Sequence, residues 1–120
     1  MSSEEQTAPR SDLMELAVRY FKKEGYKVKQ EMAALEGFSG ILRKFDLIVQ
    51  KGRLEQGVCI RDWKRTIGVN VVIGLDTACD DVGLSNPIII GEKFSDHAKS
   101  YSNRRKITLL TRQKLVMSLR

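Results

Sequence analysis

The chain has 120 residues, of which 42% are hydrophobic and 30% charged, and a net charge of +6. That length suits one domain around one core, and the apolar share excludes a disordered chain. No run of about 18 apolar residues exists, which excludes a membrane-spanning helix. Met1 to Arg10 is polar, lacks the apolar stretch of a secretory signal, and reads as a frayed tail before a single domain over residues 11–120.

Asp12 followed by Glu15 resembles a capping box and starts a helix. Leu13, Leu16, Ala17, Tyr20 and Phe21 form its apolar face, and Gly25 ends it. Tyr26 to Met32 alternates and reads as a strand, and Glu36 to Gly40 reads as a turn. Phe45 to Gln50 is a second strand, Lys51-Gly52 a turn, and Gln56 to Trp63 a third strand. The run Ile67 to Val82 is rich in β-branched residues, which favours a strand by propensity. Its spacing decides otherwise, because Val71, Val72, Leu75, Ala78, Cys79 and Val82 make a helical stripe. The run is read as a helix starting near Gly68 and stopped by Gly83. Pro87 to Gly91 is a short strand apolar enough to be buried on both faces. Ser95 caps a helix to about Asn103, Lys106 to Leu110 is a strand, and Thr111 caps a last helix carrying Leu115, Val116 and Leu119. The order predicts an α/β fold with a mixed central sheet of about five strands and helices on both faces. Its early strands are antiparallel and its later ones are joined by parallel crossovers.

Cys59 and Cys79 are too few for a disulfide scaffold, and both fall in apolar runs. With one His beside them, the ligand arithmetic argues against zinc. This usage points to a reducing, cytoplasmic compartment. From His97 to the end there are seven Lys or Arg and no acid, whereas the first 96 residues hold 14 basic and 15 acidic side chains. A basic end on a near-neutral body suits a polyanionic partner, nucleic acid first, and equally suits a solvated face.

Candidate chemistry falls on the second and third strands. Asp46 is a charge set into the apolar strand Phe45-Asp46-Leu47-Ile48-Val49, and Asp62-Trp63-Lys64 closes the next strand. Strand periodicity puts Asp62 and Lys64 on one face, and a neighbouring strand brings Asp46 to the same pocket. Two carboxylates suit a hard divalent cation, and the ammonium suits charge on a phosphate. The three-residue pattern alone is weak. With 15 acids and 11 lysines, chance supplies about 1.4 copies of acid-x-Lys, and the chain has one. The plainer readings are a same-face ion pair for Asp62–Lys64 and a strand-end turn former for Asp46.

Asp46, 15 further residues, then Asp62-Trp63-Lys64 resembles the PD-(D/E)xK nuclease superfamily, with its restriction-endonuclease-like fold. The nearest likeness is to the Mrr-type restriction endonuclease domain, with archaeal Holliday-junction resolvases as cousins. It extends from about Asp12 through Gly25-Tyr26-Lys27-Val28, Ile88-Ile89-Ile90-Gly91, Phe94 to Ala98 and Lys106 to Leu110. The resemblance implies catalytic roles for Asp46, Asp62 and Lys64. It also implies Mg²⁺ (or Mn²⁺) on Asp46, Asp62 and the Trp63 carbonyl, a DNA substrate that includes branched forms, and a homodimer. Phe45 stands where relatives carry Pro or Gly, and Asp62 is one carbon shorter than the commoner Glu. Some relatives add a first-helix Glu, but the helical wheel turns Glu15 away from the apolar stripe.

Arg43, Lys44 and Arg65 flank the proposed pocket as phosphate contacts, and Arg104, Arg105 and Lys106 extend the basic track. Trp63 is read as packed under a helix rather than stacked on a base, and His97 as surface. The expectation is a metal-dependent endonuclease of structure-selective or accessory type. The alternative is a catalytically silent nuclease-like module that binds nucleic acid or a protein.

Overall fold

Ser11, one residue before the expected cap, starts the first helix. The computed structural model describes residues 11–120, and the tail expected over 1–10 lies outside them. Helix α1 spans Asp12–Lys23, and the Ser11 hydroxyl accepts the Met14 N–H at 3.0 Å. With the cap supplied by Ser11, Asp12 and Glu15 become first-turn acids at the positive end of the helix dipole. Leu13, Met14, Ala17, Val18 and Phe21 are buried.

Strands β1 (Lys27–Glu36), β2 (Leu42–Lys51) and β3 (Leu54–Ile60) form an antiparallel meander. Helix α2 (Val69–Val82) crosses over to β4 (Ser85–Gly91), parallel to β3. Helix α3 (Asp96–Arg105) crosses to β5 (Thr108–Thr111), parallel to β4, and α4 spans Arg112–Ser118. The sheet order is sequential, β1 to β5. Among the described residues, no helix is long and apolar enough to cross a membrane.

The architecture is the mixed five-stranded sheet with helices on both faces that the pattern predicts. The run after Ile67 is helical, as its spacing requires, with Gly83 in the left-handed conformation (φ 76°) at its end. Tertiary packing of Val72, Leu75 and Cys79 outweighs their β propensity. Several boundaries differ, among them β5, read as Lys106 to Leu110, which runs Thr108–Thr111 because Lys106 ends α3 in the left-handed conformation. The β1–β2 hairpin is longer than predicted, because Glu31, Glu36, Arg43 and Lys44 hide its alternation. Strand β3 stops at Ile60, three residues short of Trp63.

Two cores sandwich the sheet. Helices α1 and α4 cover Leu47, Val49, Val58, Ile88 and Ile90. Helices α2 and α3 cover Phe45, Ile48, Cys59 and Ile89. Cys59 and Cys79 lie in the second core, where burial pushes their thiols up to about 11 and about 12. They are neutral at pH 7 and act as small hydrophobes, as read from the sequence.

Asp81, near the end of α2, pins the β1–β2 turn. Its carboxylate accepts the Ser39 N–H (2.9 Å), the Ser39 hydroxyl (2.6 Å) and Arg43 Nε (2.9 Å). The Ser39 hydroxyl first, then Arg43, holds its pKa down at about 2. A depressed carboxylate stabilises the fold above its unfolded pKa of about 3.9 and loses that contribution as pH falls toward 2. Thermal melts between pH 5 and pH 2 should therefore fall more steeply for the wild type than for Asp81→Asn. Equal slopes would show that the anchor contributes nothing.

Gly57 on β3 lets β2 and α2 close in. A Cβ there would lie 2.8 Å from Cys79 Sγ and 3.0 Å from the Phe45 ring. Gly57→Ala is expected to destabilise by about 1–3 kcal/mol in urea unfolding, with part of the loss relieved in a Cys79→Ala background.

Candidate functional site

The sheet opens between β2 and β3. Their last paired residues at this end are Leu47 and Val58. Beyond them β2 stays with β1, pairing Phe45 with Ala33 and Leu42 with Glu36, while β3 continues beside β4 to Ile60 opposite Ile90. Asp46 sits at this fork. Its Oδ2 accepts the Ile60 N–H at 2.6 Å, satisfying a donor that has no ladder partner on β2. Phe45 packs into the α2–α3 core although Leu47, two residues on, packs into the α1–α4 core. The side-chain alternation of β2 therefore breaks at Asp46, which frees its carboxylate from either core. Across the hairpin, Met32 lies between the partners of Phe45 and Leu47 and has φ 51°. A non-glycine residue there costs about 1–2 kcal/mol, so surrounding pairing enforces the irregularity.

Asp62 and Lys64 follow the end of β3, so strand periodicity does not place them on one face as the sequence suggested. Asp62 turns toward the start of α4, where Arg112 Nη2 donates to its Oδ1 at 2.7 Å. Arg112 Nε also donates to Glu92. Pairing of Gly91 with Thr111 sets Glu92 and Arg112 side by side. These bonds, Glu92 first, raise the pKa of the Arg112 guanidinium. Lys64 is exposed and lines a hollow with Glu92 and Lys93. Asp46 lines another hollow with Met32, Lys44, Cys59 and Arg61, and Arg61 Nη1 lies 3.8 Å from its Oδ2. Asp46 is thus bonded to the backbone two residues before Asp62, and each carboxylate faces a guanidinium. No ion pair joins Lys64 to either acid.

The flanking basic residues separate. Lys44 borders the Asp46 hollow, and Arg65 lies 4.1 Å from the Trp63 ring centroid. Arg43 is committed to Asp81. Arg104, Arg105 and Lys106 do not extend this track. They border a hollow with Ser85 and Asn86 at the opposite end of β4, where Arg105 pairs with Asp76 at 2.9 Å. Trp63 is half-buried against the α2–α3 core and also lines a cavity beside α2, and His97 is exposed as read. Glu92, Arg61 and Arg112 escaped the sequence reading. The one signal for Glu92 is a charge immediately after the fully apolar Pro87–Gly91 run.

Among the described residues, no group of three or more His, Cys, Asp or Glu side chains converges as a metal cage. A hard divalent cation that keeps several waters needs only one or two protein carboxylates. Asp46 and Asp62 supply hard oxygens of that kind.

A restriction endonuclease family model, that of the Mrr catalytic domain, matches residues 6–119. No curated protein matches the sequence significantly. Among solved structures, the chain is similar to a crystal structure of a protein of unknown function, AF1548, with a TM-score of 0.78 and 15% identity. The match covers 88% of this chain and 64% of that one, and it concerns the fold.

Arg112 competes with any cation for Asp62. Removing it in Arg112→Gln should tighten Mn²⁺ binding, measured by calorimetry, by about two- to fivefold, the scale of an exposed ion pair. Weaker or unchanged binding would argue against Asp62 as a metal ligand.

Proposed function

The chain belongs to the restriction endonuclease family of the Mrr catalytic domain, and on that premise we propose that it is a Mg²⁺-dependent endonuclease that hydrolyses DNA phosphodiesters. The observation that carries this reading is the Asp46–Ile60 hydrogen bond at the β2–β3 fork. It holds one carboxylate in the sheet opening, two residues from the start of Asp62-Trp63-Lys64. Asp46 and Asp62 would hold the ion, with Mn²⁺ as a substitute, and the Trp63 carbonyl would complete its protein ligands. When bound, the ion would supply Lewis acidity to the phosphoryl group and to the attacking water. Lys64 stabilises charge that develops on the phosphate. Lys44 and Arg65 contact the DNA backbone and set its register without reading sequence. It acts as a structure-selective or accessory nuclease, with branched DNA among its substrates.

One observation favours a second reading. Arg112 already neutralises Asp62, and Arg61 lies near Asp46. A silent module that binds nucleic acid without cutting would keep such internal counter-ions. A nicking assay on linear and branched DNA separates the two. The wild type should cut only with Mg²⁺ or Mn²⁺. Asp46→Ala, Asp62→Ala and Lys64→Ala should each lose cutting by about a hundredfold or more, the scale of one electrostatic or acid–base group, while far-UV spectra stay unchanged. Binding by the wild type without cutting would favour the silent module. Equal cutting by all three variants would place the chemistry elsewhere.

A further inference from the structure

On the α2–α3 side of the fork, a cavity of about 550 Å³ opens between the exit of β3 and α2. Its walls include Trp63, Arg61, Lys44, Asn70 and Leu75, and among the described residues no acidic side chain lines it. Trp63 is the only tryptophan in the chain. Its ring centroid lies 4.1 Å from the Arg65 guanidinium carbon and 5.5 Å from that of Arg61. Lys44, Cys59 and Arg61 also line the hollow that holds Asp46, so the two recesses adjoin. The cavity therefore combines an aromatic wall, apolar lining from Leu75 and Cys59, an Asn amide and a set of cations, immediately beside the proposed catalytic carboxylate.

We infer that this cavity receives an unpaired nucleotide of the DNA substrate, its base against Trp63 and its flanking phosphates toward Lys44, Arg61 and Arg65. The inference rests on the endonuclease reading and names its substrate class: DNA that presents an unpaired base next to the cut. The chemistry selects this occupant. A base offers a flat π surface for the indole, while its phosphates need the cations that the lining supplies. The volume falls within the ordinary range for a small-molecule site, which accommodates one nucleotide. A base within a duplex is stacked on both sides and cannot enter a recess without being extruded, so a single-stranded or branched segment enters at lower cost.

Gly74 provides a clean test. It lies on the cavity wall in the middle of α2, is exposed, and a Cβ added there meets nothing within 4 Å. Gly74→Phe fills the recess while favouring the helix, and an unchanged thermal midpoint verifies its fold. Because Trp63 is the sole indole, tryptophan emission of the full chain reports the cavity directly. The titration uses a ten-nucleotide oligothymidylate in EDTA, so that no cutting occurs. The single strand should quench wild-type emission, whereas a blunt duplex or inorganic phosphate should not. Gly74→Phe should bind the labelled single strand, followed by anisotropy, about tenfold more weakly, the loss of one base stack. Equal quenching by duplex or by phosphate alone, or wild-type affinity in Gly74→Phe, overturns the inference. Because the titration needs no metal, its failure leaves the hydrolase reading standing. Conversely, an Asp62→Ala protein that still nicks would sink the hydrolase reading without altering the titration.

Discussion

A single carboxylate bonded to a single backbone N–H organises the open end of the β2–β3 ladder. Where β2 and β3 part, Ile60 would be left with an unpaired donor, and Asp46 accepts it at 2.6 Å. A partly buried N–H without a partner costs about 1–3 kcal/mol, so the fork needs this acceptor. The same bond orients Asp46 away from both cores. One contact therefore ends the β2–β3 ladder and presents a charged oxygen in the resulting opening. Phe45 and Leu47, packed on opposite faces, bracket the spot, and the positive φ of Met32 lies across from it.

Charge is redistributed by the fold in a way that the linear sequence conceals. The acid-free stretch after His97 looks like a basic tail reserved for a polyanion. In three dimensions Arg105 returns to Asp76 and Asp80, and Arg112 to Asp62 and Glu92. Part of the basic end is thus internal neutralisation of the near-neutral body. The cations beside the fork come from the middle of the chain: Lys44, Arg61 and Arg65, the last two beside Trp63. An endonuclease with this layout would meet DNA through residues flanking its carboxylates, not through its terminus.

The helices were the most legible part of the sequence. The stripe from Val71 to Val82 identified α2 against its β-branched composition, because burial of a repeating face outweighs intrinsic preference. Ser95 and Thr111 were visible caps, each a short oxygen-bearing side chain three residues before the N–H that it accepts. The end of β3 was not legible. Arg61-Asp62-Trp63 continues the alternation of a strand, and only the departure of neighbouring strands stops the pairing at Ile60. The irregularity at Met32 and Asp46 gave no signal either, since no glycine or asparagine marks it.

By itself the sequence determined the sheet-and-helix order, the buried Ile88–Ile90 strand, the neutral cysteines and the residue types at positions 46, 62 and 64. These follow from local periodicity and composition, which need no knowledge of distant partners. Only the tertiary structure decided that Asp46 bonds residue 60, that Arg112 from 50 residues away clamps Asp62 to Glu92, and that Trp63 walls a cavity against α2. Each of these joins residues remote in the chain, and their meeting depends on where strands part and helices dock, which local pattern does not encode.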